Sequence, residues 1–370
     1  MKEKTLEKLY IITRSMKAGG CEHVIAQLAN RFCSEGIEVS LFTVYRHESF
    51  YPLDERISVR SLNDREEGRS RDTFSVFRQF RQLVRDGKPD AVLAMPDMVN
   101  VWTSIFLAGT GIPVIVSERN DPARFPASIM KRLLRRPAYW FARGFIFQTH
   151  QQKAFFPKRI QELGTIIDNP LDAENMPPAY SGQREKTVVT AARLAPQKNL
   201  MLLIEAFRTY LKAHPDWKLI IYGEGYEREK LENAAGELLN GTVFLPGENK
   251  ELAEAIRTAG MFVLSSDYEG MPNALIEAMA LGIPCVSTDC PVGGPASLIQ
   301  QEENGILVRT GDAAGMADAM GRIADDPAFA AFIGKNAEQI RRRLEIGAVT
   351  DKWRLYIEKV IEVKKERAET

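Results

Sequence analysis

Cysteine and histidine are both scarce, with four of each in 370 residues. Cys21, Cys33, Cys285 and Cys290 form no C-x-x-C pair, and His23, His47, His150 and His214 are too dispersed to make a zinc cluster with them. Long apolar runs are missing too: no stretch of about 18 uncharged apolar residues is present to cross a bilayer, and "MKEKTLEKLYIITRS" lacks the apolar centre of an export signal. A reducing, cytoplasmic setting is the expectation, with room for contact at a membrane surface. G-x-G-x-x-G and G-x-x-x-x-G-K-[ST] are absent as well, so the dinucleotide and P-loop readings lack their fingerprints. Net charge is zero, from 49 Lys and Arg against 49 Asp and Glu. That balance hides an asymmetry: residues 1–169 carry 26 basic and 19 acidic side chains, leaving 23 and 30 for the rest.

What is present is alternation. Short β-rich runs at 9–13, 38–44, 91–94, 114–117 and 144–148 are interleaved with amphipathic stretches such as 21–34 and 74–84, the pattern of a parallel sheet with crossover helices. A second series then begins: strands at 188–192, 217–222, 243–245, 261–264 and 283–287 alternate with helices at 200–213, 226–239, 251–259 and 273–281. Between the series lies "IIDNPLDAENMPPAYSGQREK", whose Pro, Asn, Asp and Ser content marks a linker. The expected organisation is an α/β chain of two Rossmann-like domains with parallel sheets, 1–169 and 170–348, and a charged amphipathic helix over 349–370 returning to the first domain. A chain of this length exceeds one ordinary core.

The candidate chemistry sits in "SSDYEGMPNALIEAMALGIPCVSTDCPVGGP", where Glu269 and Glu277 flank Gly270, Met271, Pro272 and Asn273. Were 269–277 wholly helical, the two Cα atoms would lie roughly 12 Å apart along the axis. That exceeds the roughly 5–9.5 Å of paired glycosidase carboxylates, and suits an elongated ligand such as a nucleotide diphosphate sugar. Pro272 suits the first turn of a helix, whose N-terminal N–H groups attract phosphate. Upstream, "AARLAPQKNL" puts Arg193 and Lys198 in one strand-to-helix loop, where two cations can neutralise a diphosphate. Near the N-terminus, "MKAGGCEHV" places Gly20 at a helix start after the first strand, a second place for an anion.

Glu269-x7-Glu277 followed by "ALGIPCVSTD", with "ARLAPQKN" before it and "IYGEG" between, resembles the retaining nucleotide-sugar glycosyltransferases of family four, also described as glycosyl transferases group 1, which have the GT-B fold of two facing Rossmann-like domains. "GGCEHV" and "IIDNPLD" extend the resemblance, and "SERNDP" and "TDCPVGGP" are similar to a branch that adds hexoses or N-acetylhexosamines to lipid-linked glycans. The resemblance implies that Arg193 and Lys198 hold the donor diphosphate and that Glu269 contacts the donor sugar near its reacting face. It further implies that Glu277 binds the ribose, that the backbone from Gly270 to Asn273, with Gly20, completes the donor site, and that the donor is a UDP-sugar. Many members carry a histidine in the loop after the "VIVS" strand; here Glu118, Arg119 and Asn120 stand there, as acceptor-binding candidates. The leaving phosphate itself would help to take the acceptor proton.

No cofactor and no metal are expected, although Asp267-Tyr268-Glu269 imitates the D-x-D pattern of metal-dependent transferases. The expected acceptor is a glycan, lipid-linked or free. Residues 124–159 hold nine Lys and Arg and no Asp or Glu, interleaved with Leu133, Leu134, Tyr139, Trp140 and Phe141. That composition fits a surface for anionic lipids, so the protein is expected at the inner face of the cytoplasmic membrane. No nucleic-acid module accompanies the patch. Two rival readings share the architecture: a sugar-nucleotide 2-epimerase, and a non-catalytic binding subunit.

Overall fold

The run Lys8–Thr13 is buried along nearly its whole length, as a strand covered on both sides of a parallel sheet must be. In the computed structural model, which describes residues 6–63 and 73–369 (side chains to 364), it is the central strand β1. The expected first domain and tail also include residues 1–5, 64–72 and 370, which lie outside the described residues.

The chain divides into two compact units, 1–170 with 346–370, and 171–345. In the first, β1 is joined by β2 (Glu38–Thr43), β3 (Ser58–Ser61), β4 (Ala91–Ala94), β5 (Val114–Ser117), β6 (Gly144–Phe147) and β7 (Gly164–Ile166), all parallel in the order β3-β2-β1-β4-β5-β6-β7. In the second, β8 (Glu185–Ala191), β9 (Lys218–Tyr222), β10 (Val243–Gly247), β11 (Ala259–Leu264), β12 (Cys285–Asp289) and β13 (Ile306–Arg309) form a parallel sheet in the order β10-β9-β8-β11-β12-β13. Each sheet is Rossmann-like, and each reverses direction beside its first strand. The turning points fall between β1 and β4 and between β8 and β11, where α/β sheets place their ligands.

The helix Ile346–Glu369 belongs to the first unit, not to the second that precedes it in sequence. Its Val349, Trp353, Ile357 and Ile361 enter the core shared by β1 and the helix Gly20–Ser34. The Tyr356 hydroxyl accepts from the Phe145 N–H at 2.7 Å and donates to the Leu163 carbonyl, tying that helix to the sheet. Elsewhere the short strands β3 and β7 add edges that apolar periodicity alone does not mark, and the helix expected over 226–239 contracts to Arg228–Ala235. Among the described residues no helix is long and apolar enough to cross a membrane.

Candidate functional site

Two loops meet at the turning point of the second sheet. After β8 the chain makes a 3₁₀ turn, Pro196–Lys198, and Asn199 adopts a left-handed conformation (φ 43°) before capping the helix Leu200–Tyr210. Asparagine tolerates that conformation because its short side chain bonds locally. After β11 the chain runs irregularly through 265–272, bending at Asp267, Gly270 and Met271, and the helix Asn273–Ala280 then starts with Pro272 at its N-cap. Pro272 therefore precedes the first turn rather than lying in it, and the stretch between Glu269 and Glu277 is only half helical.

Side chains stitch the two loops together. Asn199 Nδ2 donates to Asp267 Oδ1 at 2.8 Å, the Asp267 N–H to the Gln197 carbonyl at 2.9 Å, Gln197 Nε2 to the Tyr268 carbonyl at 2.9 Å, and Ser265 Oγ to the Lys198 carbonyl at 2.8 Å. At their junction Lys198 Nζ meets Glu269 Oε1 at 2.5 Å, and Ser266 Oγ donates to the same oxygen at 2.6 Å. The two charged side chains are 17% and 7% exposed. A carboxylate so buried is tolerable only because it is paired and hydrogen-bonded.

The neighbouring loops close on this junction by backbone contact. Gly294, at the start of the helix Gly294–Leu298, lies so near the Gly270 carbonyl that a Cβ there would sit 1.4 Å from its oxygen. Gly225 lies against the Leu194 carbonyl in the same way, at 2.2 Å. Burial pushes the thiol of nearby Cys290 up to about 12, with Glu269 adding to the shift, so it stays protonated and is no nucleophile at neutral pH.

The structure thus brings Lys198, Glu269 and the segment Gly270–Asn273 together. No side chain caps the helix Asn273–Ala280, and its first turn carries no acid, so its positive end faces the loop 265–272. Glu277 is half-buried one turn into that helix. Arg193 is exposed on the loop after β8 and makes no hydrogen bond or ion pair among the described residues. Ser266, Gln197 and Asn199 organise the junction, yet only the doubled serine before "DYE" and the Asn before a helix hint at them in sequence. Asp267 is engaged with Asn199, and among the described residues no group of three or more His, Cys, Asp or Glu is placed to hold a metal.

The first unit carries the other candidates. Gly20 is the exposed first residue of the helix Gly20–Ser34, and the Tyr51 hydroxyl brackets the preceding Gly19, accepting from its N–H at 3.3 Å and donating to its carbonyl at 3.1 Å. Glu118, Arg119 and Asn120 follow β5 in sequence, but their side chains separate. The Glu118 carboxylate turns inward, accepts from the Tyr139 hydroxyl and lies 3.8 Å from Arg135; burial raises its pKa. Arg119 Nη2 donates to Asn169 Oδ1 at 2.5 Å, and burial pulls the guanidinium below its ordinary value, opposed by Cys21 and Glu22 at the start of the helix Gly20–Ser34. The Asn120 carbonyl accepts from Gln152 Nε2 at 2.8 Å.

Asp97, which sequence reading passes over, closes the loop after β4 in a left-handed conformation (φ 57°). Burial, then the charge of Glu118, raises its pKa to about 6. The basic segment also differs from expectation, because Arg135 and Tyr139 are buried rather than displayed.

Comparison with known proteins follows the same division. The model of glycosyl transferases group 1 matches residues 173–340, and that of the glycosyl transferase 4-like domain matches residues 19–159. An uncharacterized glycosyltransferase of Haemophilus influenzae is 24% identical over 93% of this chain and 98% of its own length. The GalNAc-alpha-(1->4)-GalNAc-alpha-(1->3)-diNAcBac-PP-undecaprenol alpha-1,4-N-acetyl-D-galactosaminyltransferase of Campylobacter jejuni is 25% identical over 94% and 97%. Among solved structures, sucrose-phosphate synthase from Thermosynechococcus elongatus superposes with a TM-score of 0.83 at 18% identity, over 96% of this chain and all of that one. HepE of Anabaena, in complex with UDP and glucose, gives 0.78 at 17% identity, over 94% and 98%. With one family model on each unit, and relatives matched along nearly their whole length, the chain belongs to the group 1 glycosyltransferases of the GT-B fold.

Proposed function

We propose that the chain is a retaining glycosyltransferase that moves a hexose or N-acetylhexosamine from a UDP-sugar to a lipid-linked glycan during surface polysaccharide or glycoprotein glycan assembly. The observation that carries this reading is the buried Lys198–Glu269 pair beside an uncapped helix start at the turning point of the second sheet. A cation, a carboxylate and a positive helix end in one place suit a ligand with a diphosphate centre and a polyhydroxyl end.

In this reading Lys198 and Arg193 take the diphosphate, and the N–H groups from Gly270 to Asn273 take phosphate and sugar hydroxyls. Glu277 accepts from the ribose, and in the first unit the helix start at Gly20 is a second place for an anionic part of the donor. Glu269 lies against the sugar, released from part of its ion pair as Lys198 turns to phosphate. The acceptor oxygen bonds to the anomeric carbon as its bond to phosphate breaks, and the acceptor proton passes to the departing diphosphate. Cations aimed at the leaving group stabilise the charge that develops there, so no metal is invoked. Arg119 and Asn120 meet the acceptor, while Glu118 supports their loop from inside.

UDP as the base is supported by its presence in the HepE complex, and a polyprenyl diphosphate acceptor by the undecaprenol in the Campylobacter enzyme's name. The protein works on the cytoplasmic side, against an anionic membrane and without nucleic acid. The test is transfer from UDP-glucose, UDP-galactose and their N-acetyl forms to a short-chain polyprenyl diphosphate glycan, in buffer containing EDTA. An α-linked product from an α-linked donor is expected. Inverted product, or activity only with added divalent metal, contradicts the retaining or the metal-free part respectively. Donor epimerised without acceptor would replace transfer by the epimerase.

A further inference from the structure

The helix Ile129–Ala138, between β5 and β6, faces inward with one set of side chains and outward with a very different one. Inward, Arg135 Nη2 donates to the Pro122 carbonyl at 2.5 Å and Nη1 to the Phe125 carbonyl at 3.1 Å. Arg132 Nη1 donates to the carbonyls of Pro126 and Ala127 at 2.8 and 2.9 Å. Beyond the helix, the Arg159 guanidinium lies 4.1 Å from the centre of the Trp140 ring. With Arg124 3.7 Å from the Asp121 carboxylate and Lys153 Nζ donating to the Gly164 carbonyl at 2.9 Å, at least five of the nine cations in residues 124–159 are engaged by the protein itself. Outward, Ile129 and Leu133 recur one turn apart with Met130 beside them, 64%, 60% and 74% exposed. Trp140 and Phe141 follow, 66% and 49% exposed.

Exposed large apolar side chains scattered singly need no explanation, but five within thirteen residues form a surface built for contact. Around them Lys131, Arg136, Arg143 and Lys158 are exposed, and no acid occurs from residue 122 to 161. A two-fold pairing of this surface with a second copy would set those cations against themselves. An anionic bilayer offers the complement to both parts, hydrocarbon for the centre and headgroup charge for the rim.

We propose that this face docks by inserting Ile129, Met130, Leu133, Trp140 and Phe141 into the interfacial layer of an anionic bilayer, rather than by adhering through its arginines. The proposal rests on the lipid-linked acceptor of the reading above and gives it a physical seat. Arg132 and Arg135 tie the inserted helix to the loop 122–127, which directly follows Glu118, Arg119 and Asn120. Docking thereby holds the acceptor loop at the depth where a polyprenyl diphosphate presents its sugar.

The test is flotation of the full chain with vesicles of phosphatidylcholine alone or mixed with phosphatidylglycerol, at low and high salt. Wild type is expected to float with the mixed vesicles and to keep part of its binding in high salt, because insertion is not screened. Met130→Glu/Leu133→Glu is expected to bind them about tenfold more weakly while retaining the wild-type melting midpoint and rate on a water-soluble acceptor. The proposal is overturned if wild type stays in the aqueous fraction, if the double variant floats like wild type, or if high salt abolishes binding entirely. It is equally overturned if light scattering finds a dimer that the double variant dissolves, since a second copy would then cover the face. Transfer failing in both proteins while flotation responds as expected would count against the acceptor reading and leave the docking face standing.

Discussion

The two sheets turn at the same place and use it differently. Between β8 and β11 the second unit pairs one cation with one carboxylate, keeps both largely buried, and leaves Arg193 exposed on the same loop as the cation. Between β1 and β4, and on to β5, the first unit buries two carboxylates near one arginine; burial raises the proton affinity of both, and the charge of Glu118 adds to the rise at Asp97. Topology says where a ligand can sit, and the charge balance of the loops says what kind. On the proposed reading, the edge between β8 and β11 takes the anionic donor, and the other holds the loop that meets the sugar end of the acceptor.

That contrast can be broken at four points. The largest effect is expected at Lys198→Ala, with kcat/KM falling roughly 10²–10³-fold, as when a donor to developing negative charge is removed. Because the change also strands buried Glu269, Lys198→Ala/Glu269→Gln should recover the melting temperature without recovering transfer. Wild-type turnover in folded Lys198→Ala would transfer the anion role elsewhere. Next, Tyr139→Phe deprives buried Glu118 of its hydroxyl donor and should lower unfolding free energy by about 2 kcal/mol, while UDP affinity, a property of the other unit, stays unchanged in calorimetry. Arg193→Ala should weaken UDP binding about tenfold, or about 1.4 kcal/mol, with little loss of stability because the side chain is exposed.

The smallest effect concerns Asp97. Its folded pKa, about 6, lies above the ordinary 3.8, so the folded state binds the extra proton and stability falls as pH rises from 4 through 6. Asp97→Asn removes that penalty. Linkage alone gives roughly 3 kcal/mol; discounted for the residue's half-buried position, the gain should be about 1 kcal/mol at pH 7–8, vanishing toward pH 4 in denaturant titrations. A gain that is constant with pH would mean that the carboxyl does not titrate in this range.

Much of the second unit was legible in sequence because its signals are local. The E-x7-E block, the Pro272 helix start and the Arg193–Lys198 loop all lie within or beside single elements, and alternation of β-rich and amphipathic runs marks parallel sheets. What escaped depends on contacts distant in sequence. Nothing near Ser266 or Gln197 says that they will converge on Glu269, and nothing near Asp97 foretells Glu118 beside it. The basic segment shows the limit most clearly: composition counts Arg132 and Arg135 as surface charge, whereas unpaired loop carbonyls draw both inward. Guanidinium groups satisfy such carbonyls well, having five donors each. The exposed apolar face is what remains.

The central claim, that the Lys198–Glu269 junction is the donor site, is tested most directly by thermal stabilisation with UDP-, GDP- and ADP-sugars, in wild type and in Lys198→Ala/Glu269→Gln. A ligand that binds only the folded state must raise the melting midpoint. The account predicts a clear rise for wild type with a UDP-sugar and none for the double variant. An equal rise in both proteins, or no rise for wild type with any sugar nucleotide at saturating concentration, would contradict it.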